Sequence, residues 1–184
     1  MNRGRMGWRI AYLVAACGIY LADQATKAWA VSSLPQPKTL INGFLRVRYA
    51  TNDGVAFSQF QGGGSFVRWF FVVLAALAAV AVLIYFFRTA RNDDRILGAC
   101  ALLLAGIAGN LTDRARLGHV IDFIELHYYE SFSWPVFNVA DMSICAGAFL
   151  LIYDMFRKGR SQKAEGRSQE KKTHESVIST QESK

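Results

Sequence analysis

The stretch FNVADMSICAGAFLLIYDMF, Phe137 to Phe156, decides how this chain is to be read. It is apolar enough, and at about 20 residues long enough, to cross a bilayer as a helix. Yet Asn138 and Asp141 lie at its very start. An Asp near the centre of a membrane helix costs about 2.5 to 3.5 kcal/mol on insertion scales, so a carboxylate here calls for a partner, a wet cavity or a chemical task.

Three more segments match it: WRIAYLVAACGIYLADQATKAWA from Trp8, FVRWFFVVLAALAAVAVLIYFF from Phe66 and RILGACALLLAGIAGNLTDR from Arg95. With 52% hydrophobic and 13% aromatic residues against 19% charged, the 184-residue composition supports spans at about 9–30, 66–87, 95–113 and 137–156. The first is expected to stay as a helix rather than be cleaved as a signal, since it ends in Asp23 and Lys27 and three spans follow. Residues 1–158 form the membrane-embedded body, and the polar 159–184 is expected to be a disordered basic tail.

Fourteen of the 21 Lys and Arg residues fall at the two termini and in the 88–95 connection, so both termini are expected in the cytoplasm. The net charge of +7 then reads as topology and attraction to membrane lipid. No aromatic-interleaved basic surface accompanies it, and nucleic-acid binding is not expected. Cys17, Cys100 and Cys145 all fall inside spans, an odd and widely spaced set that suits neither a disulfide framework nor a metal knuckle.

The two outer connections are more informative. About 39–61 is expected to form a small amphipathic sheet: Asn42-Gly43 marks a two-residue hairpin, and Leu45, Val47 and Tyr49 alternate with Arg46 and Arg48. A second turn at Asn52–Gly54 places Asn52 at the sheet's edge. The later connection, ARLGHVIDFIELHYYESFSWPVF, is poor in Lys and rich in aromatics, and is read as an interfacial loop carrying Asp122.

Polar residues inside the spans share helical faces: Asp23 with Lys27, Asn110 with Asp113 and Arg114, and Asn138 with Asp141. All lie toward the outer ends of their helices. Structural roles compete for some of them. Asp23 and Lys27 suit a local ion pair whose lysine snorkels to the interface, and Asp113 with Arg114 suits a helix end contacting phosphate or carboxylate. Asp141 resists such a reading, and Asp122 falls at matching depth.

His119, His127 and His174 have no zinc-ligand spacing, and Ser143 has no histidine within any span to serve as its base. What remains is a pair of carboxylates. Two Asp side chains held close share a proton, so that one takes a proton from water while the other donates to a carbonyl, which is amide hydrolysis. No metal or organic cofactor is required.

The ordered motifs DQATK, NDGVAFS, GNLTDR, GHVIDFI and FNVAD, spread from about Leu21 to Ile144, resemble the bacterial lipoprotein signal peptidases, also called signal peptidase II. The resemblance implies an intramembrane aspartyl endopeptidase of the bacterial inner membrane, with its site on the periplasmic side. Its substrates would be prolipoproteins whose lipobox cysteine already carries diacylglycerol, cut just before that cysteine. It implies Asp122 and Asp141 as the catalytic pair. Asp23, Lys27, Asn52, Gly54, Asn110, Asp113, Arg114, Asn138 and Ala140 stand at motif positions that bind substrate or support the site. Val55, where the family commonly has a small residue, and the tail are the departures. A monomer is expected. The fold class is thus an all-α membrane protein of four transmembrane helices, with a small amphipathic β-sheet and an interfacial aromatic loop on the periplasmic side. The alternative is a proton-coupled transporter or channel using intramembrane acids, although the polar groups gather at one end instead of forming a path.

Overall fold

The computed structural model describes residues 3–54, 64–90, 93–129 and 131–182. The elements run α1 (Arg3–Ser33), β1 (Lys38–Ile41), β2 (Leu45–Asn52), α2 (Gly64–Arg88), α3 (Asp94–Leu117), β3 (Val120–Tyr128), β4 (Phe132–Ser133) and α4 (Val139–Glu182). The segments Ser65–Arg88, Asp94–Leu117 and Val139–Arg160 are long and apolar enough to cross a membrane. The 31-residue α1 carries Arg9, Asp23 and Lys27 within its apolar run and is correspondingly less hydrophobic.

Helix α3 is the hub and packs against the other three. Small residues allow this. A Cβ on Gly106 would collide with the Ala140 carbonyl and Ile144, and one on Gly147 would press on the Ala99 carbonyl and Leu103. Close backbone approach of α3 and α4 therefore depends on glycine at both positions. Toward one end Phe86, Ile96, Leu97 and Cys100 form a buried cluster, while Ala16, Ala101 and Ala105 join α1 to α3. Only 6% of the most apolar window of α2 is buried, so Phe66, Trp69, Phe70, Val73 and Leu77 face outward. That is the surface of a helix solvated by lipid.

The sheet is antiparallel with order β1-β2-β3-β4. The connection at Asn42 has three residues rather than the expected two; Gly43 takes φ +71°, and the Phe44 amide donates to the Ile41 carbonyl at 3.1 Å. Val47 packs with Ala30, Leu34 and Phe123, seating the sheet on the end of α1. Residues 55–61 of the expected β region lie outside the described residues.

The reading of the later outer connection is corrected. The supposed interfacial loop is built from strands: Val120–Tyr128 is a nine-residue strand paired along β2, so Asp122 stands in a sheet and not in a loop. Its run of Val, Ile, Phe and Tyr is strand-forming once a partner is present. Beyond Lys158, α4 continues as helix to Glu182. Lys, Glu, Gln, Arg and Ala are good helix formers, and here they extend a helix already nucleated by the span.

Candidate active site

Helix α3 ends at Gly118, whose left-handed conformation (φ +88°) turns the chain into β3 and brings Asp122 back beside the helix ends. Phe137 then pairs with Ile124: its amide donates to the Ile124 carbonyl at 2.9 Å and its carbonyl accepts from the Ile124 amide at 2.8 Å. This fixes the start of α4 against β3. Asn138 consequently lies next to Asp122.

Asn138 is the N-cap of α4, and Asp141 is its third helical residue. The Asn138 side-chain oxygen accepts from the Asp141 amide at 2.8 Å, and Asp141 Oδ2 accepts from the Asn138 amide at 3.2 Å. This reciprocal pair is a capping box, with Asn and Asp in place of the usual Ser and Glu. The same Asn138 turns its Nδ2 to Asp122 Oδ1 at 2.6 Å. One buried residue thus ties both acids into a single unit, its side chain holding the Asp122 carboxylate and its backbone amide the Asp141 carboxylate.

Each acid has a second asparagine. Asn52, at the end of β2, donates to Asp122 Oδ2 at 3.0 Å, and Asn110 of α3 donates to Asp141 Oδ1 at 2.8 Å. The Asn52 oxygen accepts from the Gly54 amide at 2.9 Å, so the NDG turn orients the asparagine. Burial pushes the Asp122 carboxyl up to about 6, against the opposing hydrogen bond from Asn52; the charge of Asp141 adds to the rise.

Below the acids lies a buried ionic knot. Lys27 Nζ meets Asp23 Oδ2 at 2.9 Å, Asp113 Oδ2 at 2.8 Å and Asn110 Oδ1 at 3.0 Å. Lys27 is 2% exposed and is held by two carboxylates inside the bundle, an arrangement unlike the snorkelling that was one of its two readings. Asp23 also accepts from the Ala140 amide at 2.8 Å, and Asp113 from the Ile121 amide at 3.2 Å. These bonds anchor the first turn of α4 and the strand carrying Asp122. A Cβ on Gly109 would fall on the Asp23 carboxylate, which is why α3 has glycine there.

The structure therefore brings Asp23, Lys27, Asn52, Asn110, Asp113, Asp122, Asn138, Ala140 and Asp141 into one connected cluster, with Gly54 at its rim. Arg114 stands beside it, half-buried, its guanidinium 5.4 Å from the Phe71 ring centre. Its carbonyl accepts from Arg68 at 3.0 Å. Two participants escaped the sequence reading. Gln24 donates to Asp23 at 3.2 Å and to Asp113 at 3.1 Å. Glu125, fully buried on β3, gathers Arg46, Arg48 and Ser133. Adjacency to Asp23 was the available signal for Gln24.

Known proteins agree with this architecture. The family described as signal peptidase (SPase) II matches residues 15–157. A lipoprotein signal peptidase of Pseudomonas fluorescens is 38% identical over 160 residues, covering 86% of this chain and 92% of its own length. One from Cellvibrio japonicus is 37% identical over 146 residues, with 79% and 85% covered. A solved structure described as a bacterial membrane enzyme superimposes with a TM-score of 0.70 at 27% identity, covering 81% of this chain and 89% of that one. The fold is that of a bacterial membrane enzyme, and the sequence matches place the chain among peptidases. This chain belongs to the signal peptidase II family, which displaces the transporter alternative.

Proposed function

We propose that the protein removes signal peptides from prolipoproteins whose lipobox cysteine carries diacylglycerol, cutting the amide just before that cysteine in the bacterial inner membrane. Asp122 and Asp141 are the catalytic pair. The observation that carries this reading is the joint hold of Asn138 on both acids.

With one proton shared between them, Asp141 acts as base and Asp122 as acid. Asp141 accepts a proton from water as the water oxygen attacks the scissile carbonyl carbon, and Asp122 gives its proton to the carbonyl oxygen. Collapse of the tetrahedral intermediate breaks the C–N bond. The proton held by Asp141 passes to the leaving amine, and the hydroxyl proton returns to Asp122, restoring the pair. Burial that keeps Asp122 protonated up to about 6 supports its role as the acid. Arg114 stands beside the pair, where it holds substrate oxygens, and Asn52 orients Asp122.

The topology that suits this chemistry has α1 as a fourth span beside α2, α3 and α4. Both termini are cytoplasmic, the acids lie at periplasmic headgroup depth, and the exposed Tyr128, Tyr129, Phe132 and Trp134 sit among lipid headgroups. The enzyme works as a monomer. The decisive experiment incubates purified protein with a diacylglyceryl-modified prolipoprotein and follows the mass of the products. Loss of the signal peptide at the lipidated cysteine is expected. An uncut substrate with folded protein present sinks the proposal.

A further inference from the structure

Strands β2 and β3 pair in two registers. Leu45, Arg46 and Val47 oppose Leu126, Glu125 and Ile124, whereas Ala50, Thr51 and Asn52 oppose Asp122, Ile121 and Val120. Between them β2 holds one residue more than its partner, a bulge at Arg48–Tyr49. Because side chains alternate across a sheet, one extra residue exchanges the faces of everything after it. Without the bulge, Thr51 would oppose Val120 and Asn52 would point away from Asp122. With it, Asn52 shares a face with Asp122 and reaches the carboxylate at 3.0 Å.

A bulge placed by nothing would slip. Here Glu125, directly opposite Arg46, accepts from Arg46 Nε at 2.6 Å and Nη2 at 3.0 Å, and from Arg48 Nε at 2.7 Å. Ser133 of β4 donates to the same carboxylate. The two arginines are the residues that flank Val47, immediately before and at the break. Breaking a buried, paired charge of this kind is costly, so the register before the break is firmly held. Arg46 and Arg48 hold Glu125 down to about 2, and the clamp keeps its charge across the pH range in which Asp122 titrates.

We propose that Glu125 is a positioning residue for the catalytic pair: by clamping Arg46 and Arg48 it fixes the β-bulge that turns Asn52 onto Asp122. The proposal rests on the reading of Asp122 and Asp141 as that pair. Glu125 touches no substrate and acts through Asn52 alone.

The test measures kcat and KM across roughly pH 4 to 9 with a diacylglyceryl-modified prolipoprotein peptide. It uses purified Asn52→Ala, Glu125→Gln and Arg48→Met, and Asn52→Ala combined with each of the others. Arg48 is 37% exposed at its side chain, so its variant folds even if Glu125→Gln does not. Loss of the Asn52 hydrogen bond removes a contact that favours ionised Asp122. The alkaline limb of kcat/KM therefore moves up by about one pH unit in each single variant. kcat falls about tenfold while KM holds, and the double variants show no further change. Lowered stability alone would leave the limb in place. A limb that moves in Asn52→Ala but stays at the wild-type position in folded Arg48→Met overturns the proposal, as do additive double variants. Near-normal cleavage by Asp122→Asn would instead remove the pair, and this inference with it.

Discussion

Asn138 and Asp141 cap each other across the first turn of α4, amide to side chain in both directions. Asparagine at position 141 can still accept from the Asn138 amide, so Asp141→Asn should fold and insert normally. It should nevertheless lose cleavage by about 10²- to 10⁴-fold, the range of a general acid or base. Asp122→Asn should fall as far, and the double variant little further, because the two acids act as one unit. Single-turnover assays on membrane-inserted protein check this. An Asp141→Asn enzyme within a few-fold of wild type would show that capping was the whole role of the residue.

Asp122 should also leave a mark on stability. Its carboxyl titrates near 6 in the folded protein against about 3.9 in an unfolded chain, so the fold retains a proton that the unfolded chain has lost. Stability attributable to Asp122 is greatest at and below about pH 4, declines as pH rises toward 6 and is level above that. The difference in Tm between wild type and Asp122→Asn, measured in detergent, should therefore move against wild type over that interval. A difference that moves the other way would contradict the sign.

Lys27 holds Asp23 and Asp113 together inside the bundle. Replacement by Met keeps the stem and leaves two carboxylates without their cation. Lys27→Met should cost about 3 to 5 kcal/mol. Lys27→Arg, too large for a site 2% exposed, should rescue it only in part. Detergent unfolding curves decide this, and a neutral Lys27→Met would mean that the knot contributes nothing to the fold.

Glycines along the helices should respond unequally to alanine. Gly106→Ala forces α3 and α4 apart and should cost about 1 to 3 kcal/mol, with activity lost in parallel because Ala140 and Asp141 move. Gly18→Ala meets nothing within 4 Å and should be neutral or stabilising by up to about 1 kcal/mol. Equal effects at the two positions would refute the packing account.

Truncation after Lys158 should leave peptidase activity intact, since every contact of the site lies before Phe156. Lys158 itself must stay: it bridges Asp93 at 2.7 Å and Asp154 at 2.8 Å, joining the α2–α3 connection to α4. Truncation after Phe156 should lower Tm. Activity lost on removing 159–184 alone would give the tail a role.

How much of this could be read from the chain follows from where each signal lies. Helices α2, α3 and α4 were legible in runs of local hydropathy, and Asp141 stood out because an acid within such a run is expensive. Strand β3 was not, because its partner β2 lies some 70 residues away, as the Asn52–Asp122 contact shows, and aromatic residues suit a membrane interface equally well. Burial of Lys27 depended on Asp113, which reaches it from another helix. No local pattern singled out Glu125, because its arginines stand 77 and 79 residues earlier.

The bond from the Ala140 amide to Asp23 joins residues 117 apart, between α4 and the much earlier α1. Until α4 arrives, Asp23, Lys27, Asn110 and Asp113 can associate, but neither Asn138 nor Asp141 exists to complete the cluster. With Asp122 and Asp141 as the proposed pair, the growing chain is thus inert until α4 docks onto a carboxylate made more than a hundred residues before it.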